Sequence, residues 1–273
     1  MNEQGIKLKD SAAKQIIYYF SATGNSLYAA KTISQSLPNC PLISIASANK
    51  EETVTTDAES IGFVFPMHYF GMPPIVAEFI SKLDMKSVGY VFAIVTCGNH
   101  YFSSAFNQLN KLLVNKGKKL TAGFHVEMIS NYIPLSNLPP QHKQDIILTN
   151  ADNRLKALAE IIRIKIRTIE TEYFWLPCSA INSFWRKSLL PKNDRKFSSS
   201  AGCTSCGICE KICPVDNIRL VNGRPEWKSH CQECLACLHF CPEESIEFGR
   251  TAGRLRYHHP FISRADIITS NSR

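Results

Sequence analysis

The 273-residue chain has no run of about 18 apolar residues, the length that a membrane-spanning helix needs. Its opening stretch, Met1 to Lys14, mixes Lys, Asp, Gln and Ser and so lacks the apolar core of a secretory signal, which makes a cytoplasmic location the expectation. Neither G-x-G-x-x-G nor G-x-x-x-x-G-K-S/T occurs, which removes the usual support for a dinucleotide or P-loop nucleotide site. The sequence also shows no clear acid/base pair, no Cys/His dyad and no H-x-E-x-D-type metal motif, so no catalytic residue is named. What remains is an ordinary globular composition, 44% hydrophobic and 20% charged, long enough for two modest domains.

Cysteine is the exception. There are 11, and eight of them fall within one C-terminal stretch between Cys203 and Cys241. A disulfide scaffold suits a small secreted chain, whereas cytoplasmic thiols stay reduced, so metal ligation accounts for the cluster better. Cys40 and Cys178 lie outside it and read as inert.

From Ile16 to Met128, short β-rich apolar runs alternate with helical stretches. Residues 16–20, 42–46, 61–65, 90–96 and 120–128 are expected to be strands, and 25–37, 73–83 and 101–116 helices. Runs such as Ile16–Phe20 are apolar almost throughout, as strands covered by helices on both faces must be. The alternation predicts a doubly wound five-stranded parallel α/β sheet with its ligand site beyond the carboxyl ends of the strands. A long helix is expected over 141–172, with Leu155, Leu158, Ile162, Ile166 and Ile169 on one stripe. The chain is then divided into 1–172, a connector over 173–200 broken by Pro177 and Pro191, a cysteine module over 201–250, and a tail over 251–273.

The first strand runs directly into Ser21-Ala22-Thr23-Gly24-Asn25-Ser26, which opens a helix. Such a loop presents backbone N–H groups and a helix dipole to an anion, and its three hydroxyls add donors. An ordinary capped turn would look similar, but this one follows the first strand of the sheet. It resembles the T/S-x-T-G-N-T/S phosphate loop of the flavodoxins, with Ser at the first and last positions. The resemblance, which spans roughly residues 14–170, implies a flavodoxin-like fold and FMN, with its phosphate on Ser21, Thr23, Gly24, Asn25 and Ser26. It also implies that two later loops flank the flavin ring: Pro66, Met67, His68, Tyr69, Phe70 and Gly71 after the third strand, and Thr96, Cys97, Gly98, Asn99 and Tyr101 after the fourth. For any one of these aromatic rings, simple packing on the core is an equal expectation, and Cys97 reads first as a small buried hydrophobe.

Cys203-x-x-Cys206-x-x-Cys209-x-x-x-Cys213-Pro214 is repeated as Cys231-x-x-Cys234-x-x-Cys237-x-x-x-Cys241-Pro242. Zinc would need four ligands from two C-x-x-C pairs and would leave the third Cys and the Cys-Pro of each run unexplained. The repeat resembles the bacterial two-[4Fe–4S] ferredoxin signature, in which the fourth Cys of each run serves the other cluster. That resemblance implies a C-terminal α+β ferredoxin-like domain. It assigns Cys203, Cys206, Cys209 and Cys241 to one cubane, and Cys231, Cys234, Cys237 and Cys213 to the second.

The formal charge of +8 does not signal nucleic acid. It divides as +2 over 1–150, +5 over 151–200, −2 over 201–250 and +3 over 251–273. Two cubanes with their thiolates would contribute about −2 each, and a bound phosphate a similar charge. The chain as a whole therefore resembles a flavodoxin–ferredoxin fusion protein, which implies electron relay between two [4Fe–4S] clusters and FMN and contact with redox partner proteins. Two alternatives stand beside the carrier: a flavin-dependent reductase of a small acceptor, using the clusters as electron inlet, and a membrane-associated protein docking through Phe174, Trp175, Phe184 and Trp185. A packed connector is the preferred role for those four rings. Donor, acceptor, direction of flow and oligomeric state are not legible in the sequence.

Overall fold

The computed structural model describes residues 14–272; the opening stretch up to Ala13 lies outside them. In chain order the elements are β1 Gln15–Tyr19, α1 Asn25–Gln35, β2 Leu42–Ser44, α2 Ile45–Ala48, β3 Val54–Thr55, β4 Ser60–Pro66, α3 Pro74–Lys82, β5 Leu83–Asp84, β6 Tyr90–Cys97, α4 Ala105–Val114, β7 Ala122–Glu127 and α5 Gln141–Arg163. There follow α6 Trp175–Phe184, a π-helical turn Trp185–Leu189, a 3-10 segment Leu190–Lys196, β8 Phe197–Ser199, α7 Ile208–Lys211, β9 Ile218–Val221, β10 Arg224–Trp227, α8 Ala236–His239, β11 Ile246–Phe248 and α9 Arg264–Asn271.

Five strands form one parallel sheet in the order β2-β1-β4-β6-β7. Counted along the sheet's own strands this is 2-1-3-4-5, the flavodoxin-like doubly wound order, with its switch point between β1 and β4. Alternation along β1 shows why helices must cover both faces. Ile17 and Tyr19 join a core with Leu27, Ala30 and Ile33 of α1 and Leu155, Leu158 and Ile162 of α5. Ile16 and Tyr18, with Phe20 just beyond the strand, join another with Ile75, Val76 and Phe79 of α3 and Leu109 and Leu113 of α4. The first core runs on without a break into Ile212, Ile218, Leu235, Leu238 and Ile246 of the cysteine module. The two parts of the chain thus share buried apolar surface, which is what fixes their relative position.

Several boundaries differ from the sequence expectation. The helix expected over 141–172 ends at Arg163, where Lys165 takes φ 56 and a C-terminal turn closes through Lys165 N–H to Ile162 O and Ile166 N–H to Ile161 O. Ile166 and Ile169 are therefore exposed, off the buried stripe. The chain continues instead as an extra ladder partner of β7, with Gly123 N–H on Thr168 O and Glu170 N–H on Gly123 O. The buried Glu172 carboxylate then accepts from Phe106 N and Asn107 N, the unpaired amides at the start of α4. Pro177 does not break the connector; it lies in the first turn of α6, where its missing N–H costs nothing. Phe197–Ser199, read as connector, pairs antiparallel with β11.

The repeat of the cysteine runs is also a repeat of backbone shape. Ser205, Gly207 and Asp216 have positive φ, and so do Glu233, Leu235 and Glu244, each 28 residues on. At Gly207 this conformation is free, but at Glu233, Leu235 and Glu244 it is strained and is held by the surrounding structure.

Candidate functional site

A cavity of about 560 Å3, counted with its open mouth, lies at the carboxyl ends of β1, β4, β6 and β7. The sheet topology places it there, since every strand of a parallel sheet delivers its following loop to the same edge. Its walls include Ser21, Thr23, Asn25, Ser26, Pro66, Met67, His68, Thr96, Cys97 and Gly98 from the sequence expectation. Gly24, Tyr69, Phe70, Gly71, Asn99 and Tyr101 are not among the lining residues. Tyr101 and Phe70 are exposed, Asn99 Oδ1 accepts from Tyr101 N, and Gly71 sits tight against Asn182 and Gln108. Ile129, Ser130, Asn131 and Tyr132, from the loop after β7, complete the wall.

The loop after β1 is shaped for an anion. Gly24 takes φ 102 and is the residue before α1. The backbone N–H groups of Ala22, Thr23, Asn25 and Ser26 are buried and have no acceptor among the described residues. Unpaired buried donors are rare in folded proteins, so four at the start of a helix mark a place for an acceptor with several oxygens, which a phosphate supplies. The side chains mostly hold the loop. Ser26 Oγ lies 2.7 Å from Thr96 Oγ1, Asn25 Nδ2 donates to Ile129 O at 3.1 Å, and Asn131 Nδ2 donates to Thr23 Oγ1.

The tail is part of this site. His259 N donates to Thr23 O at 2.8 Å and the Tyr257 hydroxyl to Asn25 Oδ1 at 2.7 Å. The His259 ring stacks on Tyr28 at 4.1 Å, and Ile262 lies so close over Gly24 that a Cβ there would stand 2.8 Å from it. Gly24 is therefore required twice, for its φ and for this approach. Helix α9 is fastened by Lys31 to Asp266 at 2.8 Å and by Tyr19 to Ser270 at 2.8 Å.

The eight thiols wall two further cavities. Cys203, Cys206, Cys209 and Cys241 line one of about 330 Å3, and Cys213, Cys231, Cys234 and Cys237 line another of about 300 Å3. Each cavity thus takes three thiols from one run and the fourth from the other. No three His, Cys, Asp or Glu among the described residues close on a single-ion position. Thiols standing around a cavity suit a multi-iron cubane, whereas zinc draws its four ligands to one point. Backbone N–H groups of Asn217, Glu233 and Ser245 point at Cys213, Cys231 and Cys241 sulfur at 3.2, 3.2 and 3.3 Å. Burial and neighbouring thiols push Cys231 and Cys237 well above the usual thiol range, and burial lifts Cys209 to about 11. Iron must therefore displace protons as it binds. Cys40 and Cys178 are also buried, with Cys40 lifted to about 11.

Cys234 lies on two walls at once: the second thiol cavity and the cavity of the phosphate-type loop. The residues beside it bolt the cysteine loop to the sheet domain. Gln232 Oε1 accepts from Ile75 N at the start of α3, at 3.0 Å. The buried Glu233 carboxylate accepts from the Tyr69 hydroxyl at 2.8 Å, the Tyr132 hydroxyl at 2.5 Å, Trp185 Nε1 at 3.1 Å and Asn193 Nδ2. Burial first, then Glu233, raises the Tyr132 phenol, so it stays a donor. Neither residue is visible as special in the sequence, because the x-x of a C-x-x-C tolerates any side chain.

Residues 202–246 match the 4Fe-4S dicluster domain. This part of the chain is an iron–sulfur domain of the electron-transfer type. The same region is 38% identical over 55 residues to a component of the ion-translocating oxidoreductase complex of Methanosarcina acetivorans, and the match takes in only 20% of this chain and 21% of that protein. Among solved structures, a putative flavoprotein from Bacteroides uniformis is similar over 42% of this chain and 90% of its own, at 20% identity and a TM-score of 0.36. An FMN-dependent NADH-azoreductase from Bacillus anthracis, in complex with FMN, is similar over 55% of this chain and 99% of its own, at 12% identity and a TM-score of 0.37. Likeness at that level adds nothing to the strand order, which stands by itself. No helix among the described residues is long and apolar enough to cross a membrane.

Proposed function

We propose that the chain relays electrons between two [4Fe–4S] clusters and an FMN seated in the phosphate-loop cavity. The observation that carries this is the position of Cys234, a wall of the cavity and one of four thiols around the second cluster site. A centre held by Cys234 would border a ring in the cavity with no further side chain between them. When bound, FMN exchanges electrons singly or in pairs, whereas a cubane passes one at a time.

The protein's part is to hold and orient. The amides of Ala22 to Ser26 bind the phosphate, and the tail residues Tyr257 and His259 brace them. Met67, His68, Gly98 and Tyr132 close the cavity walls around the ring and exclude water. Gln232 and Glu233 keep the Cys231–Cys234 loop at a fixed distance from the sheet, which sets the spacing between centres. Boundaries of 1–172, 173–200, 201–250 and 251–273 fit this relay, with β8 built into the cluster part and the tail into the flavin part.

The test is anaerobic rapid mixing with a ferredoxin-type donor, comparing the wild type with a variant that lacks both clusters but retains FMN. FMN reduction should slow by about tenfold or more in the variant. Equal rates would mean that the two parts are merely tethered.

A further inference from the structure

We propose that the exposed face formed by Phe70, Phe102, Phe174, Trp175, Ile181 and Phe184, together with the cations that follow it, docks an acidic one-electron carrier protein. The proposal rests on the electron-transfer function of the chain and adds where an external partner binds. These six side chains are between 40% and 60% exposed. A folded protein in water rarely leaves so many large apolar side chains together at its surface unless something covers them.

The face is continuous. The Phe70 and Phe102 rings meet at 6.4 Å, and Phe102 stacks on Phe174 at 5.4 Å and 28°. Helix α6 carries it onward, because its other side is committed to the protein. Cys178 and Asn182 are buried, and Asn182 Nδ2 donates to His68 O at 2.8 Å. Trp175, Ile181 and Phe184 are left outward with no partner element among the described residues.

Its position explains what it would serve. Phe70 ends the loop whose earlier residues Pro66, Met67 and His68 wall the cavity. Phe102 stands at the far end of the loop that contributes Thr96, Cys97 and Gly98. A protein seated across both loops lies beside the proposed redox centre, whereas a surface used only for membrane attachment would not need to border the cavity.

Charge selects the partner. Lys187, Lys192, Arg195 and Lys196 follow the face and are exposed, while the carboxylate within that basic stretch, Asp194, is buried and accepts from Asn217 Nδ2 and Ser229 N. An aromatic centre with a basic flank suits a carrier that carries excess carboxylates around its own cluster. In each productive encounter one electron crosses: the carrier's cluster loses it as a centre of this chain gains it, or the reverse.

The experiment uses the full cofactor-loaded chain and an acidic two-[4Fe–4S] ferredoxin as the probe, with the second-order rate of electron exchange measured against salt. The double variant Phe102→Ser/Phe184→Ser should exchange about tenfold more slowly, since buried aromatic anchors dominate interfaces. The double variant Lys187→Glu/Lys192→Glu should be slow at low salt and approach the wild type at high salt. Neither pair lines a cofactor cavity, so iron, sulfide and FMN contents should equal the wild type. Wild-type exchange in both variants overturns the proposal. So does unchanged exchange accompanied by lost binding to phosphatidylglycerol vesicles or lost self-association, which would assign the face to lipid or to a second copy. Reduction by dithionite bypasses docking and reports the internal relay alone, so failure of the relay and failure of the docking surface give different patterns.

Discussion

The Tyr257 hydroxyl donates to Asn25 Oδ1 at 2.7 Å, a buried bond between residues 232 apart in sequence. On its other side, Tyr257 N donates to Nδ1 of His239, whose Nε2 lies 2.8 Å from Asn131 O. One tail residue therefore joins the loop that would hold a phosphate to the helix that carries Cys237. Mutual bracing of this kind makes the empty loop nearly identical in shape to the loaded one, which lowers the ordering cost of binding.

Removing the hydroxyl tests that bracing. Tyr257→Phe keeps the ring and leaves Asn25 Oδ1 buried without its donor, at a cost of about 1–3 kcal/mol. FMN affinity, measured by quenching of flavin fluorescence, should fall by about tenfold, with iron and sulfide per chain unchanged. An unaltered affinity would show that the tail is not part of the binding site.

The tail also carries a pH dependence. Burial first, then the nearby His258, holds His259 down at about 4, against an ordinary value of 6.5. Its neighbours are the Tyr28 and Phe261 rings and the Phe261 amide that donates to its Nδ1, none of which would stabilise an added charge. Between pH 6.5 and 4 the unfolded chain binds a proton at this position that the folded chain refuses. Stability is thus constant above pH 6.5 and falls as pH drops through this window, by at most about 1.4 kcal/mol per unit for one proton. Urea denaturation of the wild type and of His259→Phe across this window should show the shallower slope in the variant.

Much of the sheet was legible. Ile16–Phe20, Ile61–Phe65 and Tyr90–Thr96 are so uniformly apolar that only a strand covered on both faces accommodates them, and their order followed from the helices between them. The end of α5 was not, because Lys165 occupies a left-handed position usually marked by glycine, and the apolar stripe continued past it to Ile169. The loop after β1 declared itself through its hydroxyls and Gly24. Asn131, Tyr132 and Glu233 did not, since each acquires its role from a partner far along the chain. The connector shows the same limit: a set of aromatic residues does not say which ring is inside. Trp185 is buried against Tyr69 and Glu233, while Phe174, Trp175 and Phe184 face outward, so the expectation of a fully packed connector holds for only one of the four.

Glu233 gives a prediction that separates structure from cluster binding. Four donors converge on its two oxygens, and Glu233→Gln offers one carbonyl oxygen and a donor where an acceptor stood. At least one of Tyr69, Tyr132, Trp185 and Asn193 is then left buried and unpaired, a loss of about 1–3 kcal/mol in denaturant unfolding. Because Glu233 is not a thiol ligand, iron per chain should stay at the wild-type level, and loss of the second cluster in this variant would give the carboxylate a direct part in assembly.

The crossed thiol sets yield the sharpest test of the cluster part. Cys213 lies four residues from Cys209 in sequence, yet in space it lines the cavity of Cys231, Cys234 and Cys237. If both sets hold cubanes, anaerobically prepared protein should carry about eight iron and eight acid-labile sulfide per chain. Cys213→Ser should then lower iron and sulfide toward half and remove the paramagnetic signal of the cluster on the Cys234 side, the one that borders the FMN cavity. Cys241→Ser should remove the other signal. The two variants must differ in one further respect. Loss of the Cys234-side cluster should slow FMN reduction directly, because the last centre before the cavity is gone. Loss of the distal cluster should leave that final step intact and slow only the entry of electrons into the pair. If Cys213→Ser instead removes the cluster of Cys203, Cys206 and Cys209, the crossed assignment and the special place of Cys234 fall together.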